Sequence, residues 1–381
     1  MPLAFPIDEY RARMDRVRAA AAGAGLSGCI SVAPEHLYYL GGYDAHTHFS
    51  QQALVFAADG GDPTLVIRDV DVPPDSGDLW FGDVRPYRYG ADDPVRLIAA
   101  VAREKGLSGR VGLDLESHAL PGGFALALIE ALAPAEMVDA TDLVGRLRLI
   151  KSAREMAYMR EAARYAEAGR DAFLEAAAAG MTENALTGIA EAAMRAAGAG
   201  YPAMPTWLDS GPRTKGGHNN PTNRVLQRGE IVRIETAGVA GRYHVLAIQM
   251  LAIGDPGARI REAYEAASTA LLAGAAECVA GAPVSRAEVA AVAVLAEAGL
   301  DSHPIMRFGY GIGAAYPPSW LEPLHITRES DQVLAAGMTF CLHVSFSIPE
   351  AGFGIRVGGT YALTEAGLEP LAGHDPPFRL V

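Results

Sequence analysis

The sequence predicts an α+β chain of two domains. An N-terminal α/β domain spans residues 1–148, and a second domain spans 149–381, with helices covering one face of a curved antiparallel sheet. Three observations predict this. A chain of 381 residues exceeds what one ordinary core organises. Helical and strand-like stretches alternate up to residue 147, the pattern of an α/β domain. Beyond it, the order helix, helix, loop, hairpin is followed by helix, helix, loop, strands, which reads as an internal duplication.

Residues 7–25 form an amphipathic pattern with Asp8 as its cap and Gly23 and Gly25 as its stop. Residues 28–32 read as a short strand, and residues 36–40 begin an element that Gly41-Gly42 ends. Strands at 52–57 and 64–68 flank the turn Asp59-Gly60-Gly61-Asp62. Residues 94–105 and 123–132 read as helices around a strand at 110–115. The domain boundary falls at 147–151. A long helix over 153–179 stops at Gly180, and Thr182-Glu183-Asn184 caps the next, which runs to Gly198. Helices at 258–281 and 285–299 precede a second glycine-rich loop at 303–318, then strands at 338–346 and 354–363.

Half of the residues are hydrophobic and the formal net charge is −13. No Lys/Arg run stands out, which argues against nucleic acid or an anionic membrane as partner. Cys29, Cys278 and Cys341 are odd in number and form no CxxC pair, so each is expected to be a small buried hydrophobe rather than a disulfide or zinc ligand. The N-terminus shows no basic start followed by a long apolar run, and no uncharged stretch approaches the ~20 residues that span a bilayer. A cytoplasmic protein is expected.

The most informative stretch is residues 205–250. A loop rich in Gly and Asn carries His218. A turn at Gln227-Arg228-Gly229-Glu230 precedes the apolar alternation Ile231, Val232, Ile234, with Glu235 at its end. Gly238 and Gly241 mark a reversal, and Tyr243-His244 open a second apolar run. Two readings fit. Asn, Gly and Pro between apolar runs are ordinary turn chemistry. A histidine loop beside a carboxylate-bearing strand is also a way to hold an acid–base pair.

Several motifs carry a family resemblance. Ile150-Lys151-Ser152-x-x-Glu155 with Met159-Arg160 and Ala162 resembles the helix that opens the pita-bread domain of methionine and proline aminopeptidases, prolidase, creatinase and ectoine hydrolase. Gly217-His218-Asn219 and Asn223-x-x-x-Gln227-Arg228-Gly229-Glu230 resemble the creatinase hairpin, whose histidine is catalytic. Ile234-Glu235-x-Ala237-Gly238-Val239 and Arg242-Tyr243-His244 are similar to ectoine hydrolase. So is Arg307-x-Gly309-Tyr310-x-Ile312-Gly313 followed by Tyr316-Pro317-Pro318-x-Trp320-x-Glu322. The resemblance covers the full chain and implies a creatinase-type N-terminal domain, a pita-bread domain and a homodimer.

Metal-dependent members hold two divalent ions with two Asp, one His and two Glu. Those positions fall here on Glu235, Leu246, Tyr310, His343 and Gly358. Leucine and glycine side chains cannot ligate, and a hard-ion site needs several convergent carboxylates. The resemblance therefore implies no metal and no other cofactor.

What remains resembles the metal-free hydrolases of non-peptide C–N bonds, and the implied partner is a small nitrogenous substrate: a cyclic amidine, guanidino or amide compound. His218 is assigned as general acid/base, since a histidine titrates near working pH. Glu235 is assigned to the substrate cation. Tyr310 and His244 orient substrate or stabilise developing charge, and Glu322 is a second candidate acid. Arg307 or Arg356 clamps a carboxylate. His343, Tyr316 and Trp320 are counted as substrate-binding. So are His46 and His48, placed where creatinase relatives send N-terminal-domain residues into a partner's site. Each has a plainer alternative. Glu235 is a structural carboxylate, His343 a core histidine, Trp320 packing under the loop, His46 and His48 solvated, and the arginines partners of acidic neighbours. Two other functions stay open: a ligand- or peptide-binding pita-bread protein without catalysis, and a diverged Xaa-Pro-type metallopeptidase.

Overall fold

The computed structural model describes residues 3–44, 50–74, 78–300, 307–373 and 378–381. The chain divides into two compact units, Met1–Arg148 and Leu149–Val381. Among the described residues no helix is long and apolar enough to cross a membrane, and Cys29, Cys278 and Cys341 are free and buried.

The first unit holds strands β1 (Gly28–Ser31), β2 (Ala53–Ala57), β3 (Gly60–Arg68), β4 (Val84–Tyr87), β5 (Arg110–Leu113) and β6 (Glu136–Asp139). They form one sheet in the order β4-β3-β2-β1-β5-β6. Alternate residues point to opposite faces, so Cys29, Leu54 and Phe56 join one core and Ile30, Ala53 and Val55 the other. Helices α1 (Ile7–Gly23), α2 (Pro34–Gly41) and α5 (Thr141–Arg148) bury residues in the first core. Helices α3 (Pro94–Glu104) and α4 (Gly122–Leu132) bury theirs in the second. Asp8 does not cap α1: Pro6 is the N-cap, it makes no side-chain cap bond, and Asp8 sits in the first turn.

In the second unit, α6 (Ala153–Ala176) opens on a reciprocal capping box between Ser152 and Glu155. Helix α7 (Glu183–Ala197) is capped by Thr182. Then follow β7 (Trp207–Ser210), β8 (Glu230–Ala240), β9 (Tyr243–Ile253), α8 (Ala258–Ala276), α9 (Ser285–Glu297), β10 (Gly309–Tyr316), β11 (Ser319–Ile326), β12 (Thr339–Ile348), β13 (Phe353–Thr364), β14 (Gly367–Ala372) and β15 (Arg379–Leu380). The sheet runs β11-β10-β12-β13-β9-β8-β7, with β14 on β13 and β15 on β9. Helices α6 and α7 share a core with β7, β8 and β9, while α8 and α9 share one with β11, β12 and β13.

Three details differ from the sequence reading. Glu235 lies in the middle of the 11-residue strand β8, not at its end. The reversal is made by Gly241 and Arg242 alone, at φ +50 and +68, the two positive values of a two-residue hairpin turn. Gly238 serves packing instead: a Cβ there would lie 2.1 Å from the Ala162 carbonyl oxygen of α6. Third, Tyr310 stands on strand β10 rather than on a loop. Its glycines mark close approach, since a Cβ at Gly309 would lie 2.4 Å from the Cys341 carbonyl oxygen and one at Gly313 2.4 Å from Glu322 Oε1.

Candidate functional site

Six strands of the second unit deliver side chains to one small cavity of about 60 Å³. Trp207 comes from β7, Glu235 from β8, Tyr310 from β10, Trp320 and Leu321 from β11, His343 from β12 and Arg356 from β13. Met204, Arg307 and His218 reach it from connecting segments. The register explains the convergence. Trp207 pairs directly with Glu235 across β7 and β8, and Ser345 with Arg356 across β12 and β13. Directly opposed residues share a face. A volume of this size takes a few waters or one compact ligand group.

Glu235 is buried, and its Oε2 accepts from Arg356 Nη1 at 2.5 Å. The same guanidinium donates through Nε to Ser345 Oγ (3.1 Å) and through Nη2 to the Gly217 carbonyl oxygen (2.5 Å). Arg356 thus ties the strand carboxylate to the residue before His218. Arg307 lies 4.6 Å over the Tyr310 ring and has no carboxylate partner among the described residues. Two guanidiniums against one carboxylate leave the lining net positive while the imidazoles are neutral.

His218 packs against Trp207 with ring centroids 4.3 Å apart and ring planes tilted by 49°, and its ring nitrogens have no protein partner among the described residues. Burial against the cavity wall and then the Arg356 charge lower its pKa below the ordinary 6.5, so it is a free base at neutral pH. His343 is buried. Burial first, then Arg356 and Arg307, bring its pKa to about 3, and its Nδ1 has no hydrogen-bond partner. Burial, with Cys341 and Glu235 nearby, raises the Tyr310 phenol well above 10. Tyr310 therefore stays a neutral O–H.

Three residues assigned to catalysis or binding lie outside the cavity lining. His244 is fully buried, and its Nε2 accepts from the Ala203 N–H at 2.9 Å. Burial, then Arg242, lowers its pKa to about 3, so it is neutral and cannot serve as an imidazolium acid. Glu322 is captured by Lys151 in an ion pair whose side chains are 0% and 1% exposed. The Arg242 guanidinium lies over the Tyr316 ring at 4.4 Å and over the Tyr201 ring at 3.9 Å. His46 and His48 fall outside the described residues. Conversely, Met204, Trp207 and Leu321 line the cavity without having been singled out in the sequence. The pairing of β7 with β8 brings Trp207 there.

The five positions that the resemblance matches to the ligands of metal-dependent relatives do not supply a donor set here. Leu246 and Gly358 have no ligating atom, and a Cβ at Gly358 would lie 2.4 Å from the Leu342 carbonyl oxygen. Among the described residues no group of three or more His, Cys, Asp or Glu could hold an ion. A cavity lined by two guanidiniums is also unfavourable for a dication. The residues present do not fit a two-metal centre.

The chain is similar over nearly its whole length to several known proteins. It is 27% identical to the ectoine hydrolase of Halomonas elongata, over 99% of this chain and 98% of that protein. It is 28% identical to dipeptidase PepE from Mycobacterium ulcerans, whose structure superposes with a TM-score of 0.83 over 99% of this chain and 98% of that one. The prolidase of Thermococcus sibiricus shares the fold, with a TM-score of 0.88 at 20% identity and 98% and 99% coverage. Residues 13–150 match the creatinase/prolidase N-terminal domain, and residues 157–365, more than half of the chain, match metallopeptidase family M24. By that match the chain belongs to family M24, built on the two-domain plan of the creatinases and prolidases.

Proposed function

We propose that this M24 hydrolase works without a metal ion on a non-peptide C–N bond. Its substrate is a small zwitterion: a cyclic amidine, guanidino or amide compound that also carries a carboxylate. One observation carries the reading. Glu235 and Arg307 line the same small aromatic-walled cavity as a neutral histidine, in place of a metal donor set. Arg307 takes the carboxylate, and Glu235, whose Oε1 is left over by Arg356, accepts from the substrate N–H.

His218 removes a proton from water, and the hydroxide adds to the substrate carbon as the C–N π electrons move to nitrogen. The imidazolium then gives its proton to the departing nitrogen; as the C–N σ pair leaves with that nitrogen, a lone pair of the added hydroxyl oxygen forms the C=O bond and the hydroxyl proton passes to His218. Tyr310, neutral, donates a hydrogen bond to the charge that develops. The near-full-length similarity to an ectoine hydrolase supports this reading. The dipeptidase and prolidase relatives support peptide hydrolysis instead, which asks for metal ligands that Leu246 and Gly358 do not supply.

The test is a substrate panel read by mass spectrometry: ectoine, hydroxyectoine, creatine, related amidines and Xaa-Pro dipeptides, each with chelator and with manganese. Consumption of an amidine or guanidino compound in chelator is expected, with His218→Ala losing about 10²–10⁴-fold in kcat. Turnover confined to dipeptides with manganese, or turnover indifferent to His218→Ala, contradicts the proposal.

A further inference from the structure

Among the described residues the His218 ring nitrogens have no hydrogen-bond partner, so beyond its contact with Trp207 its position depends on the loop that carries it. That loop is gripped at nearly every residue around the imidazole. Arg233 Nη2 donates to the Gly216 carbonyl oxygen at 2.7 Å, and Arg356 holds that of Gly217. Asn219 Nδ2 donates to Asp209 Oδ2 at 2.9 Å and to the Arg213 carbonyl oxygen at 2.7 Å. Arg213 Nη2 donates to the Asn220 carbonyl oxygen at 2.8 Å.

Asp209 is where these threads meet. It sits on β7 directly opposite Arg233 on β8 and receives Arg233 through Nε (3.0 Å) and Nη2 (2.5 Å). It is 2% exposed. One carboxylate therefore fixes both the arginine that holds the residue two before His218 and the amide of the residue just after it. A fork-to-fork guanidinium–carboxylate pair has a defined geometry, which a loop of Gly216-Gly217 lacks on its own.

We propose that Asp209 is the positioning residue for His218. Through Arg233 and Asn219 it locks the glycine-rich loop so that the imidazole lies on Trp207 and faces the cavity. Asp209 touches no substrate. The inference rests on the reading of His218 as the acid–base group, but the locking itself is testable without any turnover.

The experiment is hydrogen–deuterium exchange of the full-length protein, comparing wild type with Asn219→Ala and Asp209→Asn. Breaking the buried pair in Asp209→Asn endangers folding. Asn219→Ala leaves that pair and the Arg233 bond to Gly216 intact, and removes the bonds of Asn219 to Asp209 and to the Arg213 carbonyl oxygen. The expected result is at least a tenfold faster exchange of residues 211–222 in Asn219→Ala, with β8 and β9 unchanged. On the substrate found by the panel, kcat should fall about tenfold with KM changed less than threefold. Loop exchange unaltered in Asn219→Ala, or raised equally throughout the unit, overturns the proposal. Absence of any turnover would sink the hydrolase reading while leaving a localised exchange result in favour of the clasp.

Discussion

His244 and His343 are two neutral imidazoles enclosed in a protein that must keep them neutral, and this has a thermodynamic consequence. Each holds its pKa at about 3 in the fold, against an ordinary 6.5. Between those values the unfolded chain binds the protons and the folded chain does not, so stability drops as pH falls through 6.5 toward 3. At pH 5 each histidine costs about 2 kcal/mol relative to pH above 7. Denaturant melts of wild type and His343→Gln at pH 7 and pH 5 check this. The variant should lose about 2 kcal/mol less than wild type, and an equal loss would mean that the buried imidazole is not held neutral. At this scale the sequence was readable where a motif and the cavity coincide, as for His218, Glu235, Arg307, Tyr310, Trp320, His343 and Arg356. It was not readable where a distant partner intervenes. Lys151 lies 171 positions from Glu322, and no local pattern announces their pairing.

Glycine carried the main ambiguity among the elements. Gly309, Gly311 and Gly313 read as a loop, yet they lie on β10 because neighbouring strands leave no room for side chains. Gly238 read as part of a turn, yet it lets α6 lie on β8. Gly241, at the hairpin bend, does what its residue type suggests. Gly238→Ala should therefore destabilise by about 1–3 kcal/mol or more, because the atom it meets is backbone and cannot move aside. Gly188, exposed in the interior of α7, makes the opposite case, since a Cβ there would meet nothing within 4 Å. Gly188→Ala should stabilise by about 0.5–1 kcal/mol. Urea denaturation of the two variants tests the pair, and equal effects would refute the packing account of Gly238. Helix α7 was legible from its cap at Thr182, because capping is a local chemistry, whereas the capping box of α6 between Ser152 and Glu155 emerged only with the structure.

For the molecule as a whole, element order carries the fold and register carries the site. The alternation in the first unit and the repeated helix–helix–strand order in the second follow from local patterns. The convergence of six strands on one cavity follows from pairings such as Trp207 with Glu235, which one sequence does not specify. The charge is unevenly spread: the chain carries −13, whereas the cavity lining is net positive. That favours a ligand presenting a carboxylate to Arg307, and Arg307→Ala should raise KM by roughly tenfold or more, as loss of a charge-assisted bond worth about 1.5–3 kcal/mol predicts. An unchanged KM would remove Arg307 from substrate recognition. The claim beneath all of these is that an imidazole and a carboxylate, rather than a pair of metal ions, do the chemistry. It is tested most directly by measuring turnover of the identified substrate with protein dialysed against chelator, its metal content read alongside. The account predicts an undiminished rate at far less than stoichiometric metal. A rate that disappears on chelation and returns with stoichiometric manganese, cobalt, iron or zinc would contradict it.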